Sequence, residues 1–168
     1  MTWNKKSGFL LIEVSIALLI CLVLSAMTLF NWSLLQSVAV RVELDQLYSI
    51  CSFAQRSAMA QGCPVTVAFD PQARTYAALG GVHHLARGVK FGAAPDAKGP
   101  PGSPTGTIKS PITFDDNKLV FTPEGIARAG TVYLIGSDGH HSYALTSAVA
   151  HFSHLRKYSY NGHWIALS

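Results

Sequence analysis

Apolar residues crowd the first third of this chain and then change rhythm twice. From Val14 to Val40 there is no charged residue, and no proline falls between Phe9 and Cys63. The stretch 9–35 is apolar all round and long enough for the ~30 Å hydrocarbon core of a bilayer. Beyond it, Val40, Leu44, Leu47, Cys51, Ala54 and Ala58 recur at steps of four and three. That spacing lays them along one face of an amphipathic helix. One helix is therefore predicted to run on to Gly62-Cys63-Pro64, with an apolar half to 35 and a docking half over 36–61. On another face, Arg41 and Asp45 are spaced to pair across a turn.

After Pro64 the period becomes two. Val65, Val67 and Phe69 alternate with smaller or polar residues, the pattern of a half-buried strand. Asp70-Pro71-Gln72 reads as a turn, followed by a partner strand at 75–79 and a short strand near Val89 and Phe91. Further strands are expected at 108–114, 118–122, 131–135 and 142–149, with an edge strand at 163–167. Glycine and proline dominate 92–106, which reads as a flexible loop outside the core. The expected fold class is α+β, an antiparallel sheet region over 64–168 packed on the amphipathic half-helix.

One acid interrupts this greasy beginning. Glu13 sits at the front of the apolar run, where a charge costs up to ~2.5–3.5 kcal/mol if drawn into a bilayer. Such a group calls for a function and a partner. The local sequence is Lys5-Lys6-Ser7-Gly8-Phe9-Leu10-Leu11-Ile12-Glu13. A secretory signal peptide fits poorly, because the acid interrupts its core and Leu24-Ser25-Ala26 lacks the first small residue of a cleavage site. A lipoprotein site fails too, since Ile20 precedes Cys21. A plain signal anchor flanked by Lys5 and Lys6 remains the bland alternative.

The basic leader and Gly8-Phe9-Leu10-Leu11-Ile12-Glu13 resemble the class III signal of type IV prepilins and type II secretion pseudopilins. Two internal stretches are similar to the general secretion pathway H-type (FimT-like) branch. One is Ala54-Gln55-Arg56-Ser57-Ala58-Met59-Ala60-Gln61-Gly62 running into Pro64-Val65-Thr66-Val67. The other is Phe121-Thr122-Pro123-Glu124-Gly125 with Gly130-Thr131-Val132-Tyr133-Leu134. The resemblance implies a type IV pilin-like fold with a cleaved leader at 1–8, an assembly helix at 9–35 and a periplasmic domain at 36–168. It further implies that a prepilin peptidase cuts between Gly8 and Phe9 and methylates the new terminus. Glu13 would then meet the terminal amine of a neighbouring subunit. Its implied partners are other pseudopilin or minor pilin subunits, the peptidase and an inner-membrane assembly platform. The protein would be a single-pass inner-membrane subunit with its C-terminal domain in the periplasm, acting in protein secretion. Physical reading of the internal stretches is plainer: small residues for close helix–sheet approach, and Gly125 for a turn with positive φ.

Charge changes the picture little. The formal net charge of +4 falls to +2 once Lys5 and Lys6 leave, so attraction to polyanions is mild. Nucleic acid enters as an alternative because some FimT-like minor pilins bind DNA through a C-terminal Gly-Arg-x-Arg motif. Here the corresponding region is His154-Leu155-Arg156-Lys157-Tyr158-Ser159-Tyr160, which departs from that motif. Arg156 and Lys157 are the candidate phosphate contacts, with a solvated strand edge as the bland reading.

Other chemistry is not encoded. His83-His84 and His140-His141 are adjacent pairs whose members would face opposite ways on a strand. His151 and His154 suit one helical face, without a carboxylate or cysteine at metal-ligand spacing. Asp115-Asp116-Asn117 is a hairpin turn rather than a calcium loop. No nucleophile elbow, phosphate loop or zinc-protease helix occurs, so neither enzyme activity nor a cofactor is expected. Cys51 and Cys63 would lie ~15 Å apart along a helix, too far for a disulfide, so free thiols are expected.

Overall fold

The computed structural model describes residues 6–149 and 153–167, with side chains for 11–26, 37–148 and 154–167. A long α-helix, α1, runs Lys6–Gln61. Contacts divide the chain into two compact units, Met1–Leu35 and Gln36–Ser168.

In the second unit α1 packs through the stripe its spacing predicts. Val40, Leu44, Leu47, Cys51, Ala54 and Ala58 are all 0% exposed. Gly62, at φ +64, follows the last helical turn in the left-handed conformation that ends helices cheaply. Among the described residues eleven strands follow. The first four are β1 (Val65–Asp70), β2 (Thr75–Ala78), β3 (Gly81–His84) and β4 (Val89–Phe91). Next come β5 (Lys98–Gly99), β6 (Gly106–Thr107), β7 (Lys118–Phe121) and β8 (Gly130–Gly136). The last are β9 (Ser142–Val149), β10 (Ser153–Tyr160) and β11 (Trp164–Leu167). All pairings are antiparallel. They form a four-stranded sheet, β3-β2-β1-β7, a five-stranded sheet, β11-β10-β9-β8-β4, and a small ribbon, β5-β6. The fold is therefore α+β.

One core serves the docking half of α1 and both larger sheets. It joins Leu44 and Leu47 to Val67, Tyr76 and Phe121 of the first sheet and to Val132, Leu134 and Leu145 of the second. Phe69 stitches the sheets together, its ring 6.2 Å from both Phe91 and Phe114. A second, smaller core lies on the opposite face of the five-stranded sheet, where Tyr133, Ala144 and Tyr158 pack with Ala93, Ile108 and Trp164. Alternation explains the division: Val132 and Leu134 point one way along β8, and Tyr133 the other.

Several expectations need correction. The segment 92–106 is not a loop outside the core. It holds β5 and the start of β6, and buries Ala94 and Ala97 at 6% and 2% exposure. The expected strand at 108–114 is a single bridge, Ile112 to Val132. Pro111 has no N–H for a ladder, and its carbonyl instead accepts from the Tyr133 amide at 2.9 Å. His154 lies on β10 rather than on a helix, and His151 lies outside the described residues. Among the described residues no helix is long and apolar enough to cross a membrane.

Candidate functional site

The first candidate region is the beginning of α1. Every side chain from Leu11 to Ala26 is exposed, and ten of them are large and apolar, from Leu22 at 72% to Val23 at 45%. Ser15 and Ser25 do not interrupt this surface, because each hydroxyl donates back to a carbonyl four residues earlier, at 2.7 Å. That local bond keeps a hydroxyl satisfied without water. Glu13 stands in this bare stretch, and among the described residues no ion pair reaches its carboxylate. Lys6, Gly8 and Phe9 fall within α1, their side chains outside those described, and Lys5 lies outside the described residues.

The second region is the basic pair on β10. Neighbours on a strand face opposite ways, and the two cations are separated accordingly. Arg156 is exposed. Lys157 turns towards α1, where its Nζ donates to Asp45 Oδ1 at 2.8 Å and sits 5.1 Å from the centre of the Tyr48 ring. Asp45 thus takes its cation from β10, not from Arg41 one turn away on its own helix. The pair does not present two adjacent cations to a phosphate backbone; Lys157 clasps the C-terminal hairpin to the helix.

Sequence reasoning missed Glu43, a carboxylate only 3% exposed. Its Oε1 accepts from the Tyr76 hydroxyl at 3.3 Å and its Oε2 from the Ala86 amide at 3.0 Å. The acid ties α1 to β2 and to the segment after β3. Position 43 falls three residues after Val40 and four before Leu47, so the spacing itself placed it on the buried face. Burial, reinforced by the Glu43 charge and its hydrogen bond, raises the Tyr76 phenol above its ordinary range. Burial alone pushes the neighbouring Cys51 thiol up to about 12. Cys21, Cys51 and Cys63 are all free thiols.

Gly125 has φ +76, as its turn demands, and its carbonyl accepts from Gln55 Nε2 at 2.7 Å. The turn after β7 is thereby docked on the last turns of α1. A built Cβ at Gly125 would stand 2.7 Å from Met59 Sδ, so the residue also serves a close approach. Asp115-Asp116-Asn117 forms a 3-10 turn with Asp116 and Asn117 at positive φ, and Asp115 pairs with Arg128.

The histidines are dispersed. His83 stacks on Tyr76 at 5.3 Å, and His141 pairs with Asp138 in the β8–β9 turn. Burial would raise the Asp138 carboxyl, but hydrogen bonds from His141 and from the amides of His140 and His141 outweigh it and hold the group below its usual range. Among the described residues no group of three or more His, Cys, Asp or Glu is placed to hold a metal ion.

No protein-family model, curated protein or solved structure matches this chain.

Proposed function

We propose that this protein is a minor pseudopilin of the H-type, a structural subunit of an inner-membrane-anchored filament that serves protein secretion. One observation carries the reading: an apolar helical stretch with every described side chain bare and a lone carboxylate near its start. Full burial of a large apolar side chain is worth about 1.5–3 kcal/mol. Ten such side chains, roughly half exposed, stand to gain on the order of 10 kcal/mol from a cover. That rivals the entire stability of a small domain, about 5–15 kcal/mol. Lipid, and then the helices of neighbouring subunits, are the proposed covers. The uncharged run Val14–Val40 and the Gly8-Phe9 junction of the leader motif support the same reading. An α+β domain docked on the continuation of the same helix is compatible with a pilin-like fold.

The mechanism is assembly. A prepilin peptidase removes the leader after Gly8 and methylates Phe9, and Glu13 then draws the terminal amine of the adjacent subunit. Carboxylate and ammonium each lose solvation in a low-dielectric layer, so each is better beside the other than alone. Glu13→Ala is expected to insert and be processed, since removing the charge eases insertion. Its incorporation into filaments, measured by shearing and immunoblot, should fall severely. Normal incorporation of that variant would remove Glu13 from the assembly mechanism. A DNA-uptake role is the weaker reading, because Lys157 is engaged with Asp45 and Tyr48 and only Arg156 of the pair is exposed.

A further inference from the structure

The C-terminal hairpin carries a feature that filament assembly does not use. Tyr160 and Trp164 are cross-strand partners on β10 and β11, joined by a tight turn with Gly162 at φ +75. Their rings lie 5.0 Å apart at 55°, and Tyr133 backs Trp164 at 5.8 Å. Both rings are locked by their polar ends. The Trp164 indole N–H donates to the Lys98 carbonyl at 2.6 Å, and the Tyr160 hydroxyl donates to Asp96, at 3.1 Å to Oδ2 and 3.3 Å to the carbonyl. Trp164, Tyr160 and Asp96 line a hollow of about 260 Å³. Tyr160 and Asp96 also line a neighbouring cleft of about 910 Å³, within the usual ~300–1,000 Å³ of small-ligand sites.

We propose that this aromatic wedge and its adjoining cleft bind a neutral oligosaccharide. The charges around it argue against an ion. In the hollow, the Asp96 carboxylate and the Lys98 ammonium share the lining, so either sign of ligand meets a like charge. In the cleft, Asp96 and Asp138 are set among His140 and His141, with the Asp138 carboxylate already hydrogen-bonded to His141. A purely apolar ligand is equally ill-matched to this rim. A pyranose satisfies both features: its C–H face packs on an aromatic ring, and its hydroxyls both donate and accept. With the indole N–H and the phenol hydroxyl committed within the protein, the part of these half-buried rings left to a ligand is carbon surface. The Asp96 carboxylate, the Asn161 amide and the Lys98 and His163 side chains supply the donors and acceptors for hydroxyls. The rings are held before any ligand arrives, so little ordering cost remains on binding. The ribbon β5–β6, which sequence reading made a loop, is what brings Asp96 and Lys98 to the hairpin.

The test is calorimetry and saturation-transfer NMR on the full-length chain in an amine-oxide detergent, which has no sugar headgroup. The probes are neutral trisaccharides of glucose, N-acetylglucosamine, mannose and galactose, with N-acetylarginine amide as a cationic control. Saturable binding of at least one sugar is expected, weakened at least tenfold by Trp164→Ala and at least threefold by Asp96→Asn. His84→Ala, on the other sheet, should leave it unchanged. If Trp164→Ala does not fold, Asp96→Asn decides, because Asp96 is exposed. No saturable binding of any sugar overturns the proposal, as does binding that Asp96→Asn leaves untouched. Tighter binding of the arginine probe than of any sugar would reassign the site to a cation. None of these outcomes bears on processing at Phe9, so the site and the filament reading stand or fall separately.

Discussion

Replacing Glu43 by alanine should cost this domain more than any surface change of the same kind. The carboxylate accepts one hydrogen bond from the Tyr76 hydroxyl and one from the Ala86 amide, and Tyr76 is itself 1% exposed. Removing the acceptor leaves both donors without their partner. The buried Tyr76 hydroxyl in that condition costs about 1–3 kcal/mol, whereas Ala86 is exposed and its amide can turn to water. Part is offset, because alanine no longer has to desolvate a charge. A net loss of about 1.5 kcal/mol follows, roughly 5 °C in melting temperature for a unit of this size. The assay is urea unfolding of a fragment beginning at Gln36, followed by the fluorescence of Trp164, its sole tryptophan. Glu43→Gln should cost less, because its one amide oxygen keeps a single bond. In a double-mutant cycle, Tyr76→Phe should cost less in the Glu43→Ala background than alone, with a coupling near 1 kcal/mol. A Glu43→Ala change below about 0.5 kcal/mol, the size of an ordinary surface substitution, would mean that Glu43 does not hold α1 to β2.

Two further predictions concern the same domain. Cys51 and Tyr76 both hold their protons more tightly folded than unfolded, so the stabilisation they give is complete below their unfolded values. It is lost as pH rises above about 9 for Cys51 and about 10 for Tyr76, because unfolding then releases protons; urea midpoints should fall in that window, less steeply in Cys51→Ala. The β10 pair should behave asymmetrically. Arg156→Ala is expected to change stability by less than about 0.5 kcal/mol, and Lys157→Ala to lose about 1 kcal/mol through Asp45 and the Tyr48 ring. Equal effects of the two would contradict the clasp.

Much of the architecture was legible because burial here follows simple periods. The helix stripe from Val40 to Ala58 and the alternation of Val65, Val67 and Phe69 are local patterns, and both face the core. β10 was missed for the opposite reason. Its inward positions include Lys157 as well as Leu155, so a cation held by Asp45 breaks the apolar alternation that marks a strand. β3 was missed because Gly81-Val82-His83-His84 offers one aliphatic side chain, and that one, Val82, is 64% exposed. Glycines and prolines in 92–106 read as a loop, yet the segment is pinned from far along the chain by Tyr160 and Trp164. No local window contains that information. Glu43 is the instructive case, since its spacing placed it on the buried face while its charge suggested solvent.

If this chain is a processed filament subunit, as proposed, the Gly8–Phe9 junction is where it is cut. Intact-mass and N-terminal peptide analysis of the protein, expressed in a host with an active prepilin peptidase, tests it most directly. The expected product is a mature chain that begins at N-methylated Phe9, lost in Gly8→Ala. A chain that keeps Lys5 and Lys6, or one cut after Ala26, would contradict it.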